Sequence, residues 1–113
     1  MAAAIAINNF RTITHILTTG APTEIYTSPT GYTSVFLLIQ VTNTDTVTRT
    51  CSLYHTRLST NTEIVINFPI PAGDTASLLP GKLVLETGDK IAISGSVGTN
   101  LKFLASVLET SNF

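Results

Sequence analysis

Two histidines, one cysteine and seven carboxylates carry most of the acid–base, nucleophilic and metal-binding capacity of this 113-residue chain. A hydrolytic triad needs a nucleophile, a base and an orienting group. Only His15 and His55 could serve as the base, and neither sits in a nucleophile motif: there is no Gly-x-Ser-x-Gly, and Ser94-Gly95-Ser96 is ordinary turn material. Cys51 and His55 share a strand face by parity. Four residues of extended chain nevertheless separate them by about 13 Å, beyond hydrogen-bond reach. The expectation is a small buried thiol and two strand-face histidines. Metal ligands are equally scattered. Gly73-Asp74-Thr75 and Thr87-Gly88-Asp89 each offer one carboxylate, whereas calcium needs several converging oxygens. Aspartate in such turns commonly accepts from backbone amides. Gly95-Ser96-Val97-Gly98-Thr99 is glycine-rich, but no Gly-Lys-Ser/Thr follows, so it reads as a turn. The expectation is no enzyme, no cofactor and no metal site.

Binding chemistry is just as sparse. Six Lys+Arg against seven Asp+Glu leave a net charge of -1, and only 12% of residues are charged. That excludes a basic nucleic-acid clamp and a polybasic membrane patch. Arg49 and Arg57 lie on one strand near Tyr54, too thin a patch for nucleic acid. A sugar could stack on Tyr26 and Tyr32, which flank Pro29-Thr30-Gly31; there is no tryptophan to help. A single cysteine excludes an internal disulfide framework.

These few groups must be positioned by β-structure. Threonine is abundant, and β-branched residues suit a pleated, half-exposed surface. Strand patterns recur over Thr12–Leu17, Thr23–Thr27, Ser34–Thr42, Val47–Leu58, Glu63–Phe68, Leu83–Glu86, Lys90–Ser94 and Leu101–Leu108. Pro29-Thr30-Gly31, Asn43-Thr44-Asp45-Thr46, Ser59-Thr60-Asn61 and Pro69–Asp74 are turn chemistry. Thr87-Gly88-Asp89 reads as the clearest hairpin. Helix candidates are short: the Ala-rich start and Asp74–Leu79. About eight strands in one domain predict an all-β fold, an antiparallel two-sheet β-sandwich, and periodicity leaves jelly-roll and immunoglobulin-like topologies both open. Residues 1–11 read as an N-terminal arm and 12–113 as the sandwich domain. No basic residue precedes the short apolar start, and no apolar run is long enough to span a bilayer, so neither secretion nor membrane insertion is expected.

The segments Ile25-Tyr26-Thr27-Ser28-Pro29-Thr30-Gly31-Tyr32-Thr33, the strand closing on Val41-Thr42-Asn43, the bend Ile70-Pro71-Ala72-Gly73-Asp74 and the late Leu83-Val84-Leu85-Glu86-Thr87-Gly88-Asp89-Lys90-Ile91 occur in an order that resembles small virion structural proteins of tailed bacteriophages. The resemblance covers about Ile13 to Glu109 and rests on turn-and-strand patterns. It implies an assembly role without catalysis: a capsid decoration (cement) protein, stabilising neighbouring subunits of the major capsid protein. It further implies a homo-oligomer, with a trimer favoured, located in the virion and assembled in the host cytoplasm. A tail, neck or baseplate component is the alternative within that class. A glycan-binding host-adhesion module using Tyr26 and Tyr32 is the alternative outside it. The apolar Ile5, Ile7, Phe10 and Phe113 are the expected assembly contacts.

Overall fold

The computed structural model describes residues 7–112, and all regular structure among them is β. Nine strands follow in order: β1 (Asn8–Ile16), β2 (Thr23–Thr27), β3 (Tyr32–Asn43), β4 (Arg49–Arg57), β5 (Thr60–Ile70), β6 (Thr75–Ser77), β7 (Leu83–Leu85), β8 (Lys90–Gly95) and β9 (Leu101–Ser111). They form two antiparallel sheets. The first has the order β1-β9-β3-β6, with β7 also on β3; the second has the order β2-β8-β4-β5.

That order decides the topology. Among the described residues, β4 and β5 are the only consecutive strands that pair with each other. Elsewhere, except between β6 and β7, the chain crosses between sheets at each connection, which is the jelly-roll path and not the immunoglobulin one. The ninth strand arises because β6 and β7 lie end to end along β3. β6 pairs with Gln40–Thr42 and β7 with Ser34–Phe36. Pro80 lies in the segment between them, and a proline cannot donate to a ladder.

The core follows strand parity. On β9 every odd residue from Leu101 to Ser111 is buried, and the even ones are partly or fully exposed. Phe36, Ile39 and Val41 on β3 meet Leu53, Ile91 and Ile93 of the second sheet in one fully buried cluster. Each such side chain contributes about 1.5–3 kcal/mol by burial. Gly95 has no room for a side chain. A Cβ there would come within 2.8 Å of Leu101 Cδ1 and 3.2 Å of Leu17 Cδ2.

Three local readings change. Asp74–Leu79 contains a strand, not a helix: Thr75, Ala76 and Ser77 lie opposite Thr42, Val41 and Gln40. Thr87-Gly88-Asp89 is a tight turn, with Asp89 N–H donating to Glu86 C=O at 2.9 Å, but β7 and β8 then enter different sheets. The turn is an inter-sheet corner and not a hairpin. β1 begins at Asn8, so residues 8–11 of the stretch read as an arm belong to the sheet. They gain their partners from Val107 to Thr110, because β9 also runs beyond Leu108.

Candidate functional site

Polar side chains gather in two places. The first is a strap between the sheets. Tyr26, on β2 of the second sheet, donates its hydroxyl to the Glu109 carboxylate on β9 of the first. Its oxygen also lies 2.7 Å from Ser34 Oγ, which lies 2.8 Å from Ser28 Oγ. Arg11 Nη1 reaches Glu109 Oε2 at 2.9 Å from β1. The Tyr26 ring stands edge-on to Phe36 at 5.2 Å, and the Arg11 guanidinium sits 5.9 Å over it. Burial pushes the Tyr26 phenol up to about 12, and its bond to Glu109 adds to the shift.

The second cluster surrounds Asp89 at the β7–β8 corner. Asp89 Oδ1 accepts from Arg57 Nε at 2.7 Å; Oδ2 accepts from Arg57 Nη2 at 2.6 Å and from the Glu86 backbone N–H at 3.0 Å. His55 Nε2 lies 3.0 Å from the same Oδ2. The Arg57 guanidinium holds the Asp89 carboxyl well below the usual carboxylate range, with help from His55 and against the opposing effect of burial. Arg57 also meets Glu86 Oε2 at 3.0 Å. Beside the cluster, a depression of about 270 Å³ is bordered by Arg57, Leu58 and residues 86–89. Both carboxylate oxygens of Asp89 are thus engaged in tying the corner to β4. Among the described residues, no group of three or more His, Cys, Asp and Glu has metal-holding geometry.

The groups singled out from sequence are dispersed. Cys51 is buried in the core, and burial pushes its thiol up to about 11. His15 and His55 lie on β1 and β4, in different sheets. Tyr26 is only 6% exposed, with its ring against Phe36 and Arg11, so it offers no face to a sugar; Tyr32 is half-buried. Of the expected assembly contacts, Ile7 is 51% exposed and Phe10 is 74% exposed. Ile5 and Phe113 lie outside the described residues.

Phe10 is not isolated. It lies opposite Leu108 on β9, which lies opposite Val35 on β3, which lies opposite Val84 on β7. These four residues form an apolar row across four strands on the outer face of the first sheet. Val84 at its far end is 54% exposed. Toward the other end of β1 the same face carries Ile16, 50% exposed, beside a depression of about 530 Å³ bordered by Thr14, Gln40, Thr42 and Lys102. Sequence reasoning missed Leu108, Val35 and Val84 as a group because a row is made by register between strands distant in the chain. The strap was more accessible. Glu109 has the parity of Leu101, Phe103, Ala105 and Val107, and a carboxylate on an apolar face needs a partner.

No family model matches the chain, and no curated protein matches it. Three chains of solved structures do. One is from the work on Bacillus endospore appendages that form a family of disulfide-linked pili. It is 13% identical at a TM-score of 0.55, over 98% of this chain and 96% of that one. Another is the Eiger TNF of S. frugiperda, 13% identical at a TM-score of 0.39, over 95% of this chain and 91% of that one. The first likeness is one of fold: a two-sheet β-sandwich matched over nearly the whole chain.

Proposed function

We propose that the chain is a non-enzymatic structural subunit that docks on neighbouring proteins of a larger assembly through the outer face of its first sheet. We further propose that this assembly is a virion shell, on which the chain acts as a decoration protein. The observation that carries the reading is the apolar row Phe10–Leu108–Val35–Val84, exposed at both ends and half-buried between them. Contiguous apolar surface on a rigid sheet marks a contact site. Only Lys102 brings charge to the outward-facing residues of β1 and β9, so a partner would pay little desolvation there.

The virion resemblance supports the finer reading because its quoted residues prove to be architectural. Gly31 takes φ 81° in a turn closed by Tyr32 N–H to Pro29 C=O at 3.0 Å. Asn43 is fully buried and donates to Val47 C=O and Ile70 C=O, both at 2.9 Å. Asp89 locks the late corner. The pilus likeness supports a structural use of this fold. The covalent linkage named for those pili has no counterpart here, since the one cysteine is buried.

The test is re-decoration. Particles sedimented from a producing culture and stripped of the chain should rebind purified wild-type protein and should not rebind Val84→Lys. Rebinding of Val84→Lys as well as wild type would overturn the docking face. Absence of the native chain from sedimented particles would overturn the virion reading.

A further inference from the structure

A sandwich exposes sheet edges, and an open edge is a template for another strand. Three of the edges in this fold are blunted. β2 has five residues, and its pairing with β8 shifts between Glu24 and Tyr26. β6 and β7 have three residues each. β5 is long, but its pairing with β4 shifts twice, Asn67 takes φ 46°, and Pro69 interrupts its donors. β1 has none of these devices. It runs nine residues in unbroken register with β9, from Asn8 opposite Thr110 to Ile16 opposite Lys102. It contains no proline and one charged residue, Arg11, whose guanidinium is engaged by Glu109.

The hydrogen-bond phase of β1 shows which groups are available. Ser111 N–H donates to Ile7 C=O at 3.0 Å, and Leu17 N–H donates to Leu101 C=O at 3.0 Å. These are directly opposite residues at the two ends of the ladder. In an antiparallel pair, bonded and non-bonded positions alternate. The odd residues of β1 therefore bond to β9. Asn8, Phe10, Thr12, Thr14 and Ile16 turn their N–H and C=O groups away from it, toward an edge that no strand among the described residues covers.

We infer that β1 pairs with β1 of a second copy of the chain, antiparallel about a two-fold axis at Ile13, joining the first sheets of two molecules into one. The register follows from two independent features. With Ile13 opposite the partner's Ile13, Phe10 falls opposite the partner's Ile16 and Thr12 opposite the partner's Thr14. The two most exposed apolar side chains of the strand, 74% and 50%, then cover each other. The same register places Arg11 opposite the partner's His15. The Nε2 atom of His15 is buried and has no hydrogen-bond partner among the described residues of its own chain, which leaves a polar ring atom to be satisfied. All outward-pointing residues meet outward-pointing residues, so every free group on the paired stretch finds a partner. The other edges offer no equally long, regular strand, so the contact closes as an isologous dimer and does not propagate into a fibre.

The inference is independent of the virion reading. Pairing in the plane of the sheet engages Phe10 at the edge but leaves Leu108, Val35 and Val84 of the outer face uncovered, and failure of the dimer would leave docking through Val84 untouched. The test is light scattering on a sizing column with the full chain, alone, over a range of concentrations. Wild type should run at twice the chain mass of 12.0 kDa, and Thr12→Pro at the single-chain mass. That substitution removes an outward N–H and spares the β9 ladder. The double variant T12K/T14K provides a second route, because it sets lysines directly opposite one another across the two-fold while leaving each exposed on a single molecule. It should also run as a monomer, with an unchanged β-type circular dichroism spectrum. A monomeric or trimeric wild type, or a dimer that survives T12K/T14K, would overturn the pairing.

Discussion

The Tyr26 hydroxyl bonds the Glu109 carboxylate across the sandwich, joining residues 83 positions apart in different sheets. Both are buried, Tyr26 at 6% and Glu109 at 4% exposure, so the bond replaces hydration that neither group can recover. Tyr26→Phe should keep the fold and lower stability by about 1–3 kcal/mol, because it strips a donor from a buried carboxylate. Urea unfolding followed by circular dichroism checks it. An unchanged midpoint would show that Arg11 alone satisfies the Glu109 carboxylate.

The same phenol gives an alkaline signature. Its folded-state pKa lies near 12 against an ordinary 10.0. The folded protein therefore holds a proton that the unfolded chain releases, and stability falls as pH rises from about 10 toward 12. Tyr26→Phe should flatten that slope when stability is measured against pH.

Asp89 acts at the other end of the pH scale. Its carboxyl is held below the ordinary 3.8, first by the Arg57 hydrogen bonds. The stabilisation is present above that ordinary value and is lost as pH falls below it. Asp89→Asn should cost about 2–3 kcal/mol at neutral pH, as the loss of charged hydrogen bonds to a buried side chain. It should also make the acid limb of the stability curve shallower.

Cys51 is 1% exposed, with its thiol pushed up to about 11. It should resist alkylation in the native protein and react on unfolding, since the thiolate is the reactive form. A labelling time course read by mass spectrometry checks both. Rapid native labelling would mean that the core opens at β4.

The tip between β4 and β5 stores strain. Arg57 and Thr60 pair directly, so the loop is Leu58-Ser59, and both residues take positive φ, 49° and 68°. A two-residue hairpin of this kind favours Asn-Gly. L58N/S59G should raise stability by about 1 kcal/mol by placing residues that tolerate positive φ at both positions. Thermal unfolding reads the gain.

Much of this architecture was legible in the strands. Thr23–Thr27 falls where its β-branched alternation places it, and the two-sheet all-β class follows from turns recurring between such runs. The crossings were not legible. Leu83-Val84-Leu85 and Ile91-Ala92-Ile93 have the same pattern whether they pair with each other or enter separate sheets, so Gly88-Asp89 looked like a hairpin turn. Asp74–Leu79 is opaque because a three-residue strand is too short to repeat an alternation of period two. Among candidate contacts, Phe10 could be named from its type and place. Its row could not, because Leu108, Val35 and Val84 come together only through register. Tyr26 reads either way in sequence because tyrosine serves surface and core alike, and only Ser34 and Glu109 show which contacts it makes here.

The central claim is that the outer face of the first sheet meets a neighbouring protein in an assembly. Hydroxyl-radical footprinting of the chain, free and bound to its particle, tests this most directly. The account predicts that Val84 and Leu108 are labelled in the free chain and protected in the particle, while Leu58 at the β4–β5 tip is labelled in both. Equal labelling of Val84 and Leu108 in the two states would contradict it.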